Sequence, residues 1–122
     1  MTPTAKVIDL SEKLSLFSEP WHPKIVAELN SQYVKLARLK GEFVWHLHET
    51  EDELFWVISG TLVIRLRDGE VTIRPGQFAV IPMGVEHLPV AAEEVAVMLL
   101  EPKTTLNTGN INNERTVEVE WI

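Results

Sequence analysis

The sequence predicts an all-β barrel or sandwich, and three observations carry that prediction. Short runs rich in Val, Ile, Leu and aromatic residues recur with turn signals about every 8–12 residues. Nothing between those runs is long enough to be a packing helix, which argues against parallel βαβ units. Asp68-Gly69, between two β-like runs, is a strong hairpin signal.

The elements follow in order. A short helix opens the chain: Asp9 caps it, Glu12 stands three residues on, and Leu10, Leu14 and Phe17 share a face. Pro20 and Pro23 end it. Strands are then expected over 24–29, 33–40 and 43–47, followed by an acidic turn, Glu49-Thr50-Glu51-Asp52. Further strands are expected over 54–58, 62–66, 71–74, 77–81, 87–90 and 95–101. The turns between them include Ser59-Gly60, Pro75-Gly76 and Pro82-Met83-Gly84. Residues 103–113, rich in Thr and Asn, read as a loop, and 116–122 as a last strand.

Bulk composition narrows the function. The 122 residues fit one domain, 1–122, large enough for a core without disulfide staples. The absence of cysteine excludes zinc-finger and iron–sulfur sites and a thiol nucleophile. A net charge of −7 argues against nucleic-acid partners and anionic membrane surfaces. Charged residues interrupt the first twenty positions, so no signal peptide is expected there. The longest apolar run, 95–100, is too short to span a bilayer. A cytoplasmic protein is the resulting expectation.

One constellation carries chemistry. On a strand, alternate residues face the same side, so His46-Leu47-His48 aims two imidazoles at one spot. Glu53, across the acidic turn, can return its carboxylate beside them, and His87 follows a later turn. Three imidazoles and one carboxylate suit a divalent transition ion (iron, manganese, cobalt, nickel, copper or zinc) better than magnesium or calcium.

The wider spacing resembles the two motifs of the cupin superfamily. In the first, Gly41, four residues, His46-Leu47-His48, four residues, Glu53, six residues and Gly60 follow the family order. In the second, Gly76, five residues, Pro82-Met83-Gly84, two residues, His87, three residues and Ala91 do the same. The first spacer is one residue shorter than the commonest form, and Ala91 stands where the family closes with Asn. The resemblance implies a double-stranded β-helix, a jelly-roll barrel, with motif one at 41–60 and motif two at 76–91. It implies that His46, His48, Glu53 and His87 hold one metal ion, and that copies of the chain pair as a homodimer.

Around that site, alternation places Val44, Phe55 and Val57 on the ligand side, with Leu62, Ile64 and Leu66 on one face of the next strand. Trp45, Leu47 and Trp56 should face away and need cover. Arg38 is the one basic residue considered for the pocket, although a surface position is the simpler expectation. His22, beside Trp21 and Pro23, reads as structural. The acidic turn reads as solvated, and nothing fixes the loop at 104–109 over the barrel mouth.

Two functions remain open. One is a small-molecule metalloenzyme of dioxygenase, isomerase or lyase type; small cupins of this kind look similar to proteins called mannose-6-phosphate isomerase-like. The other is a non-catalytic module that binds or senses a metal and a small ligand. Every motif His and Glu is taken by the metal, so the enzyme reading lacks a free acid–base group.

Overall fold

The computed structural model describes residues 4–122. One short helix, α1 (Leu10–Leu14), precedes eight strands: β1 (Lys24–Leu29), β2 (Gln32–Glu42), β3 (Glu53–Ser59), β4 (Leu62–Leu66), β5 (Gly69–Ile73), β6 (Phe78–Ile81), β7 (His87–Pro102) and β8 (Glu120–Trp121). They form one jelly-roll sheet in the order β5-β4-β7-β2-β1-β8, with β3 joining β6 to β7. The sheet bends round a core without closing its ladder.

Strand β7 organises the fold. It pairs with β2 along nearly its whole length, with β4 at its start and with β3 further on. Its register against β2 jumps between Leu39↔Val95 and Gly41↔Ala91. That bulge bends both strands and turns their inner faces round the core. Gly60 lies against the same bend. Its φ is +81°, and a Cβ there would stand 2.7 Å from the Glu94 carbonyl oxygen, so no other residue fits.

Alternation sorts the side chains into two layers. Ala37 and Leu39 of β2, Phe55 and Val57 of β3, Leu62 and Ile64 of β4, and Val95, Val97 and Leu99 of β7 fill the interior. Leu36 and Ala96 point the other way and pack with Leu14 of α1 and with Val26. Asp9 caps α1 by accepting from the Glu12 N–H at 3.1 Å. The helix stops at Leu14, short of Phe17, and Phe17 still packs in the outer layer.

Three sequence expectations change. Residues 43–47 do not form a strand; His46 makes an isolated bridge to His87. The reason is Pro89: it accepts from the Phe43 N–H at 3.0 Å but has no N–H to return, so the ladder cannot continue. The runs 87–90 and 95–101 are one strand, β7. Of 116–122, only Glu120 and Trp121 pair, in parallel with β1.

Candidate metal centre

Two tight contacts bring the ligand segments together. The Gly84 N–H donates to the His48 carbonyl at 2.8 Å, and the Met83 N–H donates to Asp52 Oδ1 at 2.8 Å. The Pro82-Met83-Gly84 turn is thereby clasped to the acidic turn, which sets Glu53 beside His87. Asp52 thus has a structural task, where the sequence suggested only a solvated turn. His46 and His87 exchange backbone hydrogen bonds of 3.1 and 2.9 Å, so their rings stand side by side with centroids 4.3 Å apart.

All four predicted ligands converge. His46, His48, Glu53 and His87 are buried, and one donor atom from each lies within 4.8 Å of the others. Glu53 Oε1 is 3.2 Å from His48 Nε2 and 3.5 Å from His87 Nε2. The Nδ1 atoms of His46 and His87 lie 2.9 Å from the carbonyls of Val44 and Val85. A carbonyl only accepts, so each Nδ1 carries the proton and each Nε2 presents a lone pair inward. His48 has no such second bond.

Burial and chemistry both fit a metal ion. His48 Nε2, His87 Nε2 and Glu53 Oε1 are buried with no hydrogen-bond partner among the described residues. Leaving such atoms unpaired is costly, and a shared cation would satisfy all three. Burial, reinforced by the neighbouring His87, lowers the His46 pKa to about 4, so the ring is neutral near pH 7, as ligation requires.

The site contains a pair of residues that the sequence reading missed. Lys35 of β2 and Glu101 of β7 face the interior, and Lys35 Nζ donates to Glu101 Oε1 at 2.8 Å with both side chains almost wholly buried. Burial, then the adjacent Glu53 charge, pushes the Glu101 carboxyl well above the usual carboxylate range despite Lys35. Burial acts against ionised Glu53 as well, but the adjoining Glu101 carboxyl and the His48 and His87 rings outweigh it and hold that carboxyl well below its ordinary value. The two carboxyls are thereby driven apart, Glu101 towards the protonated form and Glu53 towards the anion.

Beside this group lies a cavity of about 40 Å³, lined by His46, Glu53, Glu101 and Asn107 and by apolar side chains including Trp21, Leu39, Phe43, Phe55 and Leu99. Trp21 and Phe43 stack at 4.6 Å. Their conformations are set nearby: Trp21 Nε1 donates to the Lys40 carbonyl at 2.9 Å. The loop beyond β7 does cover the mouth. Asn110 pairs with Leu47 through two hydrogen bonds, from the Asn110 N–H to the Leu47 carbonyl and from the Leu47 N–H to Asn110 Oδ1. Gly109, at φ +56°, packs so closely on the Leu47 carbonyl that a Cβ there would clash with its oxygen.

The remaining candidates lie elsewhere. Arg38 is on the outer face and bonds to the Leu14 and Phe17 carbonyls at the end of α1. His22 pairs with Glu19 at 3.1 Å, away from the metal group. Trp45 is covered by the Arg67 guanidinium, 3.9 Å above its ring, whereas Trp56 is exposed beside Phe78 and Val80.

The comparisons with known proteins agree with this geometry. Residues 34–102 match the Cupin domain family, and the chain belongs to that family. It is similar to a cupin-2 domain containing protein from Shewanella frigidimarina, with 47% identity, 80% of this chain and 95% of that chain covered, and a TM-score of 0.79. It is also similar to protein NMB1881 from Neisseria meningitidis, with 29% identity, 80% and 100% coverage, and a TM-score of 0.74. The uncharacterized protein YdbB of Bacillus subtilis is 38% identical over 63 residues, 51% of this chain; the chain spans only 56% of that relative's length.

Proposed function

We propose that this cupin is a metal-dependent enzyme acting on a small molecule, with one divalent transition ion held by His46, His48, Glu53 and His87. The convergence of three partnerless buried atoms, His48 Nε2, His87 Nε2 and Glu53 Oε1, carries the metal assignment. The donor set accepts iron, manganese, cobalt, nickel, copper or zinc. When bound, such an ion supplies a Lewis acid or a site for O₂.

The chain's own residues supply the rest. The carbonyls of Val44 and Val85 orient two imidazoles, and the apolar liners exclude water from the reacting end. Glu101 supplies the acid–base group that the motif residues could not, and this favours an enzyme over a sensing module. A sugar-phosphate substrate is disfavoured, because no Lys or Arg among the described residues lines the cavity. The proposal takes 1–122 as one domain working in the cytoplasm. It also takes the exposed Trp56, Phe78 and Val80 as the face on which two copies pair. No helix among the described residues is long and apolar enough to cross a membrane.

Elemental analysis of protein purified without an affinity tag tests the centre. The expected result is about one equivalent of a first-row transition metal, with His48→Ala and His87→Ala losing most of it while remaining folded by circular dichroism. Equal metal in wild type and both variants, or none in any after incubation with each ion, would overturn the assignment.

A further inference from the structure

The cavity's polar liners are few, and their hydrogen-bonding capacity can be accounted for among the described residues. His46 and Glu53 belong to the metal group. Asn107 is held at both ends by the chain, its Nδ2 donating to the Arg115 carbonyl at 2.8 Å and its Oδ1 accepting from the Val117 N–H at 3.1 Å, and its amide is not a buried group without a partner. Glu101 differs. Its Oε1 is engaged by Lys35, and its Oε2 is buried without a hydrogen-bond donor. The Lys35 ammonium is not among the liners, being held on the far oxygen of that carboxyl. The other liners of the enclosed end are apolar or aromatic.

Size adds a second constraint. A cavity of about 40 Å³ encloses a few heavy atoms only, against about 150 Å³ for one that admits benzene. Position adds a third. Glu53 and Glu101 stand on adjacent strands, one step beyond the Leu54↔Leu100 pair, and both line the cavity, so the Glu101 carboxyl lies next to the metal group. In so small a space, two ligand oxygens on adjacent carbons can serve both partners at once.

We propose that the cavity takes the end of a small, neutral molecule bearing a hydroxyl on the carbon next to a carbonyl or hydroxyl, with one oxygen facing His46, His48, Glu53 and His87 and the other hydrogen-bonded to Glu101. This rests on the metal reading above. Within it, Glu101 is the specificity determinant, Leu39, Phe43 and Phe55 reject charge, and the Lys35 ion pair keeps Glu101 in place.

Hydroxyacetone and butanone form a matched pair for the test, since they differ only by hydroxyl against methyl. Cobalt-loaded protein is prepared, its cobalt content is measured, and each probe is titrated while the cobalt absorption band is followed. The expected result is saturable binding of hydroxyacetone at least tenfold tighter than butanone. In the Lys35→Met/Glu101→Leu double variant, which removes the buried pair together, that preference should fall below threefold; if this variant does not fold, Lys35→Met/Glu101→Met, equally unable to hydrogen-bond, is read in the same way.

Equal binding of the two probes by the wild type, or binding of neither, would overturn the proposal with the metal centre left standing. An undiminished preference in the variant would overturn the role of Glu101, since chelation by the metal alone would then account for it. Failure to take up cobalt would remove the metal reading itself, which distinguishes the two failures.

Discussion

Lys35 and Arg38 stand three residues apart on β2, and the strand sends them to opposite sides of the sheet. Lys35 enters the barrel and is paired with Glu101 of β7, with side-chain exposures of 3% and 2%. Arg38 stays outside, where its partner Glu94 is 47% exposed, and it binds the carbonyls that end α1. Both are cation–carboxylate pairs between the same two strands. Burial makes one a determinant of the site and the other a clip for a helix. The charge pattern alone cannot distinguish them; the environment sets what each pair is worth.

The sharpest way to break that contrast is to remove the buried cation. Lys35→Met leaves the buried Glu53 and Glu101 carboxyls with no cation beside them and Glu101 Oε1 with no donor, and is expected to cost about 3 kcal/mol in urea unfolding of the metal-free protein. Adding Glu101→Leu should restore most of that, because replacing both members of a buried pair with apolar groups is close to neutral. A loss under about 1 kcal/mol in the single variant would show that the pair is hydrated and not buried as described.

A second measurement probes the interior through protons. The His46 ring has a pKa of about 4 in the folded barrel against 6.5 for the ordinary side chain, chiefly because of burial. Between those values the unfolded chain binds the extra proton and the folded chain does not. Stability of the metal-free protein is therefore complete above about pH 6.5 and is lost as pH falls towards 4, by about 3 kcal/mol for this ring alone. His46→Phe should flatten that part of the curve. An unchanged slope in the variant would place the acid sensitivity on other groups.

The same contrast explains what could be read from the sequence. The cluster of His46, His48, Glu53 and His87 was legible because its spacing is fixed by short turns, and a turn of set length places a side chain whatever packs around it. The barrel was legible from its turn signals. Lys35 was not, because β2 is covered on both faces. Lys35, Ala37 and Leu39 line the interior, while Leu36 packs outward with Leu14 and Val26. With apolar residues on both sides, alternation gives no inside or outside, so nothing local marks Lys35 as the inward cation and Arg38 as the outward one. A signal was available in β7: Glu101 continues the inward row Val95, Val97, Leu99 at its end, and a carboxylate in such a row calls for a buried cation opposite. The covering loop was illegible for another reason. Asn110 and Gly109 are fixed by contacts with Leu47, more than sixty positions earlier, and no local pattern encodes so distant a partner.

The outer pair should give the smallest effects, and they separate into two parts. Arg38 donates to the Leu14 carbonyl at 2.8 Å, an oxygen that the end of α1 leaves without an intrahelical partner, and to the Phe17 carbonyl at 2.9 Å in the segment beyond it. Its link to Glu94 is 3.2 Å long but open to water. Arg38→Ala is therefore expected to cost about 1–2 kcal/mol and to loosen α1, seen as faster amide exchange in the helix. Glu94→Gln should cost less than about 0.5 kcal/mol, since exposed ion pairs are screened. Metal content should be unchanged in both, because the outer face of β2 shares no contact with His46, His48, Glu53 or His87. A drop in bound metal in Arg38→Ala would mean that the two faces of β2 are coupled through the strand, and the division drawn between Lys35 and Arg38 would fail at its premise.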